Sequence, residues 1–341
     1  MTHQELLRFF HSKYPQIVKD MRNADHAFDA DSLNQYHLEG TVFEHTMLVF
    51  QESVRRGYGF ESDLLALCHD LGKSYVRARD VIKKKTMFYN HESISIFLSL
   101  QVMEDLKLPF DVRERLVRVI GLHTEVFKQP LQSLYDLIGD AETYRKLTQL
   151  ANCDHSGRFA DIQSHTDYTY FLPADNVKVS EPKTKTVTVL VGLPCSGKSS
   201  YINKIMEPYY SESTILDYLI ISRDKIIESL DGINYNDKWK KADQKLVDKE
   251  LQVQFKKAKD YHDVFVDMTH MSLKSRCKTL SHFGKEWEKN CVVLLPTLAE
   301  INRRATLRTE KVIDNSVIDA MILAFRPPCL GEGFDNITYK F

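Results

Sequence analysis

The most constraining stretch of this 341-residue chain is Gly192-Leu-Pro-Cys-Ser-Gly-Lys-Ser199. It fits G-x-x-x-x-G-K-[ST] and directly follows the apolar run Thr186–Val191. Residues Ser200–Met206 after it have helical character. A glycine loop between a buried strand and a helix turns its backbone N–H groups inward around phosphate oxygens. The helix N-terminus beyond it adds partial positive charge. The expected phosphate contacts run from Gly192 through Cys195, Ser196, Gly197, Lys198, Ser199 and Ser200. Lys198 would reach the β- and γ-phosphates of a nucleoside triphosphate (NTP), and Ser199 would hold Mg²⁺.

The surrounding pattern fits an α/β unit. Val264–Val266 and Cys291–Leu295 read as further buried strands, and Lys238–Lys259, between the Thr186–Val191 run and the first of them, has polar, helical spacing. Such alternation implies a parallel sheet. Ile220-Ile-Ser-Arg223-Asp224 falls where another strand would end. An acid there can accept the proton of an attacking hydroxyl, or simply cap a helix. Asp267, in Val264-Phe-Val-Asp-Met-Thr269-His270, ends another apolar run. It either serves metal or acceptor at a strand carboxyl end or caps the strand. Arg304 and Arg308, four apart, share a helix face. They form either a lid over transferring phosphate or an ordinary basic surface.

The first 168 residues read as helical, as in Glu61–His69 and Phe110–Ile120, without clear β-branched strand runs. They are rich in histidine near acids: His37, His45, His69-Asp70, His91, His123 and Asp154. His69-Asp70-Leu-Gly72-Lys73 is the centre, with an adjacent imidazole and carboxylate at a helix end closed by Gly72. Asp70 has two oxygens and could bridge two metals. Imidazoles mixed with carboxylates suit Mn²⁺, Fe²⁺, Co²⁺ or Ni²⁺. Two metals sharing a water are a standard device for phosphate-ester hydrolysis. No role is assigned to His155, His165 or His262.

Composition narrows the class. With 43% apolar and 27% charged residues the chain reads as globular, and its length suits two domains. We divide it into a helical domain over 1–170, a proline-containing linker over 171–184 and an α/β domain over 185–341. The net charge of −1 argues against wrapping long nucleic acid but leaves an end or a small substrate open. Six scattered cysteines, no signal pattern after Met1 and no long apolar run suggest a reduced, cytoplasmic protein away from membranes.

These motifs carry resemblances. Phe43-Glu-His45-Thr-Met-Leu-Val, His69-Asp70-Leu-Gly-Lys73 and Asp154-His-Ser-Gly-Arg158 resemble the HD phosphohydrolase superfamily. His91 and His123 match the extra histidines of its two-metal members. The resemblance implies an all-α fold. It also implies one metal on His45, His69, Asp70 and Asp154, and a second on Asp70, His91 and His123. His37, in Tyr-His-Leu-Glu-Gly, resembles a segment of the HD domain of bacterial tRNA nucleotidyltransferases. His37, Lys73 and Arg158 are then expected on the substrate phosphate.

The α/β half resembles 5′-hydroxyl polynucleotide kinases. The matching elements are the phosphate loop, Arg223-Asp224, Asp267-Met-Thr269-His270, Arg304…Arg308 and the tail Phe325–Phe334. The resemblance implies Asp224 as general base, Arg304 and Arg308 on donor phosphates alongside Lys198, and Arg223, Asp267, Thr269 and His270 on the acceptor side. Two departures lie there: Ile227 stands where the phage enzyme has an acceptor-side arginine, and Asp-Met-Thr-His replaces Asp-Asn-Thr-Asn.

The order of the two halves resembles a bacterial and phage family of fused HD–polynucleotide kinases. It implies a two-domain enzyme healing RNA ends, with ATP or another NTP, Mg²⁺ for the kinase and two divalent metals for the hydrolase. The implied partners are RNA (or DNA) ends, broken tRNA among them, and a separate RNA ligase. The rival expectations are a kinase–hydrolase of nucleotides or small metabolites, and a nucleotide-gated regulatory binding protein.

Overall fold

The computed structural model describes residues 1–29, 34, 37–160, 168, 183–210, 217–229, 242–308 and 313–341. They fall into two compact units, Met1–Asp175 and Asn176–Phe341. Of the linker expected over 171–184, residues 171–182 lie outside the described residues, as does His165.

The first unit is helical. Its elements are α1 (His3–Lys13), α2 (Pro15–Asn23), α3 (Val42–Arg56), α4 (Phe60–Cys68), α5 (Lys73–Val76), α6 (His91–Asp105), α7 (Phe110–Leu122), α8 (Leu131–Ile138) and α9 (Ala141–Ser156). Thr41 and Glu44 start α3 with a reciprocal capping box, which fixes His45 on its first turn. Helix α4 carries Leu64, Leu65, Ala66, Leu67 and Cys68, all fully buried. It packs on α3, α7 and α9. Each buried leucine stabilises by roughly 1.5–3 kcal/mol, so the residues that follow α4 are held on a rigid base.

Two details depart from expectation. A short antiparallel hairpin, β1 (Ala78–Asp80) with β2 (Lys85–Met87), interrupts the helices. Its three-residue strands carry no readable alternation. It is anchored from outside by Arg77 and Thr86 donating to Ala27 O, and its turn is held by Asp80 accepting from the N–H groups of Ile82 and Lys83. The second departure is Gly72. It does not close a helix in the left-handed region, since its φ is −69°. Glycine is needed there because a Cβ would lie 2.1 Å from His91 O and 2.8 Å from Ser95 N. The bare backbone lets the His69–Gly72 turn press against α6.

The second unit is an α/β domain. A five-stranded parallel sheet has β3 (Lys185–Val191) at its centre, in the order β4-β5-β3-β6-β7. The other strands are β4 (Tyr218–Ser222), β5 (Asp263–Asp267), β6 (Trp287–Leu294) and β7 (Asn336–Lys340). Helices α10 (Lys198–Tyr210), α11 (Arg223–Ser229), α12 (Gln244–Lys257), α13 (Leu273–Leu280), α14 (Leu298–Thr306) and α15 (Asn315–Ala324) complete it. Leu190, Ile202, Met206, Phe265, Val292 and Leu294 pack α10 onto the sheet. In parallel register Ser222 stands opposite Asp267. The carboxyl ends of β3, β4 and β5 therefore lie side by side, where open α/β sheets place their ligands.

The tail fastens this edge. Buried Arg276 makes two 2.7 Å bonds to Glu332 and donates to His270 O and Met271 O. The bidentate pair ties the turn after β5 to the C-terminal segment.

Candidate functional sites

In the helical unit, side chains from four helices and one turn converge on Asp70. Its Oδ2 lies 3.2 Å from His69 Nε2, 3.6 Å from His45 Nε2 and 2.7 Å from Lys73 Nζ. Its Oδ1 lies 3.1 Å from His91 Nε2 and 3.6 Å from His123 Nε2. Asp154 approaches His45 Nε2 at 3.1 Å. The seven groups are buried. Two triads stand out: the ligand atoms of His45, His69 and Asp154 lie within 4.8 Å of one another, as do those of Asp70, His91 and His123.

The backs of the rings are fixed. The Nδ1 atoms of His69, His91 and His123 donate to the carbonyls of Ala66, Phe88 and Ile120, three residues earlier. His45 Nδ1 is 2.8 Å from Glu39 Oε1. A carbonyl can only accept, so in His69, His91 and His123 Nδ1 carries the proton and Nε2 faces inward. This is how metal-binding histidines are oriented. The Nε2 atoms of His91 and His123 meet at 3.2 Å. Two facing lone pairs at that distance need a shared proton or a cation between them. His45 Nε2, His69 Nε2 and Asp70 Oδ1 are buried without a hydrogen bond of normal geometry. Mixed imidazole and carboxylate donors, prealigned and unsatisfied, fit divalent transition metals.

The electrostatics follow from burial and pairing. Burial pushes the His69 imidazole down. Burial also opposes protonation of His45, but the carboxylates of Asp154 and Glu39 beside its two nitrogens outweigh this and lift it to about 9. Burial would raise the Asp70 carboxyl, yet His69, Lys73 and His123 hold it well below the usual range.

Three participants escaped the sequence reading. Glu39 Oε1 accepts from His37 Nδ1 and lies 2.8 Å from His45 Nδ1, while Oε2 accepts from the Phe159 N–H. His26 stacks on His37 with centroids 4.3 Å apart, and its Nε2 lies 3.5 Å from Lys73 Nζ. Glu92 accepts from Thr124 and lies 3.7 Å from His91 Nδ1. A His-x-Glu spacing at 37–39 and the His91-Glu92 pair were the available signals. For His26 none existed, since Lys73 is 47 positions away. Arg158 holds its guanidinium 2.8 Å from His155 Nδ1.

In the α/β unit the phosphate loop stands between β3 and α10. Gly197 has φ +99°, and a Cβ there would come within 3.3 Å of Arg304 Nη1. Cys195 also lies in the left-handed region, at φ 62°. Lys198 Nζ donates to Gly192 O at 3.0 Å and Leu193 O at 2.8 Å, folding over the loop. Ser199 Oγ donates to Asp267 Oδ2 at 2.8 Å. A hydroxyl beside a carboxylate is a hard-oxygen pair that fits Mg²⁺. Arg304 Nη1 donates to Ser196 O at 3.1 Å, and Arg308 Nη1 lies 3.9 Å from Cys195 Sγ. Both arginines therefore face the loop rather than open solvent. Glu300 orients Arg304 through a 2.6 Å bond.

One cavity of about 1350 Å³ gathers Cys195–Tyr201, Arg223, Asp224, Asp267–His270, Arg304 and Arg308. Asp224 stands in the first turn of α11, immediately after β4. Arg223 is tied to Asp248 and Gln244, each at 2.6 Å. His270 lines the cavity but its ring is engaged: Nδ1 donates to Leu190 O and Nε2 accepts from Thr279 Oγ1, both at 2.9 Å. Burial pushes it down to about 4. Thr269 contributes its carbonyl, which accepts from Gly192 N at 3.0 Å. Ile227 is fully buried and does not reach the cavity lining.

Residues 187–328 match the family described as an AAA domain. The phosphate loop at 192–199 falls inside the matched stretch. Among curated relatives, the multifunctional CCA protein of Azoarcus sp. (strain BH72) is 29% identical over 152 residues, covering 42% of this chain and 36% of that one. Its counterpart in Dechloromonas aromatica (strain RCB) is 28% identical over 151 residues, with the same coverage. This chain thus spans about a third of the length of the curated relatives it matches. Among solved structures, a chain of the Pnkp1/Rnl/Hen1 RNA repair complex aligns at TM-score 0.33 and 20% identity, over 42% of this chain and 44% of that one. A fungal RNA kinase aligns at TM-score 0.32 and 14% identity, over 47% and 75%. Among the described residues, no helix is long and apolar enough to cross a membrane.

Proposed function

We propose that the chain is a bifunctional RNA end-healing enzyme. The α/β unit would transfer the γ-phosphate of ATP or another NTP to a 5′-OH end. The helical unit would hydrolyse a 2′,3′-cyclic phosphate or a terminal 2′- or 3′-phosphate. Ribonuclease cleavage through the 2′-OH leaves a 5′-OH and a cyclic phosphate, so one chain would address both ends before a separate ligase joins them. The division into a hydrolase domain to residue 170, a linker over 171–184 and a kinase domain from 185 belongs to the same reading.

The observation that carries it is the company of Asp224. A carboxylate that lines the same cavity as Lys198, Arg304 and Arg308 of a phosphate loop suits transfer to a hydroxyl. Asp224 would take the acceptor's proton as its oxygen attacks the γ-phosphorus and the bond to the nucleoside diphosphate breaks. Lys198 would exchange its loop carbonyls for phosphate oxygens. Arg304 and Arg308, already facing the loop, would meet the charge that develops. Ser199 and Asp267 would hold Mg²⁺. Arg223 and Thr269 would shape the acceptor side, with His270 acting through its grip on the strand end.

In the helical unit, His45, His69, Asp70 and Asp154 would hold one divalent metal, and Asp70, His91 and His123 the other. Such ions supply an activated water for phosphate-ester hydrolysis. Lys73, His37 and Arg158 would receive the substrate phosphate, with His26 and Glu39 positioning Lys73 and His37.

The deciding experiment uses a short RNA bearing a 5′-OH and a 2′,3′-cyclic phosphate, with γ-labelled ATP and Mg²⁺ or Mn²⁺. Label at the 5′ end that needs Lys198, and ring opening that needs Asp70, would support the assignment. Consumption of free mononucleotides with both RNA ends untouched would overturn it.

A further inference from the structure

The acceptor side of the cavity contains a feature that phosphate chemistry does not use. His282 and Phe255 stack in parallel, with centroids 4.2 Å apart and planes at 9°. Phe255 meets Phe283 edge-on at 6.1 Å, and Phe283 meets Trp287 edge-on at 5.0 Å. Phe255, Phe283 and Trp287 are buried, whereas His282 is exposed and lines the same cavity as Asp224. A rigid aromatic column therefore ends in one ring with a single face covered. Lys278, four residues earlier and also exposed, lines the cavity beside it. Burial and Lys278 push the His282 imidazole down, which keeps the ring neutral near pH 7.

A small metabolite would need directed hydrogen bonds, and a flat ring backed by three aromatics offers few. A nucleobase needs a flat, pre-ordered ring, and a nearby ammonium suits the next phosphate. The position where an arginine is expected holds Ile227, whose burial removes it from the acceptor.

We propose that His282 is the stacking platform for the 5′-terminal nucleobase of a single-stranded acceptor, with Lys278 on the adjoining phosphate. The inference rests on the polynucleotide-kinase reading and narrows its substrate to single-stranded ends of any sequence, since every base presents a π-face.

The test is steady-state 5′-phosphorylation of an RNA tetranucleotide by the full chain, with KM taken separately for acceptor and ATP. His282→Ala should raise the acceptor KM about tenfold, the scale of a lost base–aromatic stack, with the ATP KM within twofold of wild type. His282→Phe should restore the acceptor KM. An acceptor with an abasic 5′ residue should raise the wild-type KM by a similar factor and that of His282→Ala no further. An unchanged acceptor KM in His282→Ala, a Phe variant no better than Ala, or an abasic acceptor used as well as the intact one would each overturn the proposal. A wild type that phosphorylates no oligonucleotide would instead remove the kinase reading on which it stands.

Discussion

The two candidate centres arrange their charged and polar groups in opposite ways. The histidine–aspartate cluster is buried, and its ring nitrogens face one another with their backs tied to main-chain carbonyls. The phosphate loop is open, and its cationic groups are already satisfied: Lys198 on loop carbonyls, Arg304 on Ser196 O, Ser199 on Asp267. The first arrangement holds unfavourable contacts that a cation would relieve. The second holds favourable contacts that a nucleotide would replace. One centre should therefore depend on its metal for stability, while the other should depend on its ligand only for activity.

The largest effects should separate the activities. Lys198→Ala should lower 5′-phosphorylation by at least about 10²–10³-fold, the scale of losing one electrostatic contact to the transition state, and leave phosphate hydrolysis intact. Asp70→Ala should do the reverse and also lower bound transition metal measured by elemental analysis. Joint loss in either variant would mean that the two centres are not independent.

Metal removal comes next. A ligand that binds the folded state at a thousand times its Kd stabilises by about 4 kcal/mol. Chelation should therefore lower the unfolding transition of the helical unit in calorimetry. Both tryptophans, Trp239 and Trp287, belong to the α/β half. The tryptophan-fluorescence transition should consequently stay in place, and its moving with chelator would contradict the contrast.

Two glycines sharpen the comparison further. Gly72→Ala drives a Cβ into the backbone of α6, which cannot yield, and should cost about 3 kcal/mol as overpacking does. At Gly197 the nearest atom is the end of the flexible Arg304 side chain, at 3.3 Å. The cost there is the backbone conformation, about 1 kcal/mol. Gly197→Ala should chiefly raise the KM for ATP. Denaturant melts beside ATP titrations of both variants would tell these apart.

The same contrast explains what the sequence disclosed. The phosphate loop is contiguous, so eight residues reveal a strand, a turn and a helix together. Its sheet was legible except β7, whose Asn-Ile-Thr-Tyr-Lys lacks an apolar run. The histidine–aspartate cluster was legible because histidines gather near acids there and His69-Asp70 adjoin. Its supporting shell was not, because Glu39 and His26 matter through contacts that span turns and helices. Gly72 was seen as important for the wrong reason: helix closure is a local property, while the approach of α6 is tertiary. His270 looked like an acceptor ligand because it follows a strand-end acid, but burial commits its ring to Leu190 and Thr279.

That commitment yields the smallest of these effects, and one confined to the α/β unit. His270 is buried and neutral, with a folded pKa of about 4 against an ordinary 6.5. Between those values the unfolded chain binds the proton that the folded chain refuses. The contribution is therefore fully present above pH 6.5 and is lost as the pH falls toward 4. Between pH 7 and pH 5 it amounts to roughly 2 kcal/mol. Because φ at this position is 44°, asparagine is the replacement best able to keep the left-handed backbone. His270→Asn should thus unfold earlier than wild type at pH 7 but converge on it near pH 5, when urea unfolding is followed by tryptophan fluorescence. A constant gap between the two proteins across that range would mean that the ring is protonated in the folded state, and that the His270 bonds to Leu190 and Thr279 are not what excludes the proton.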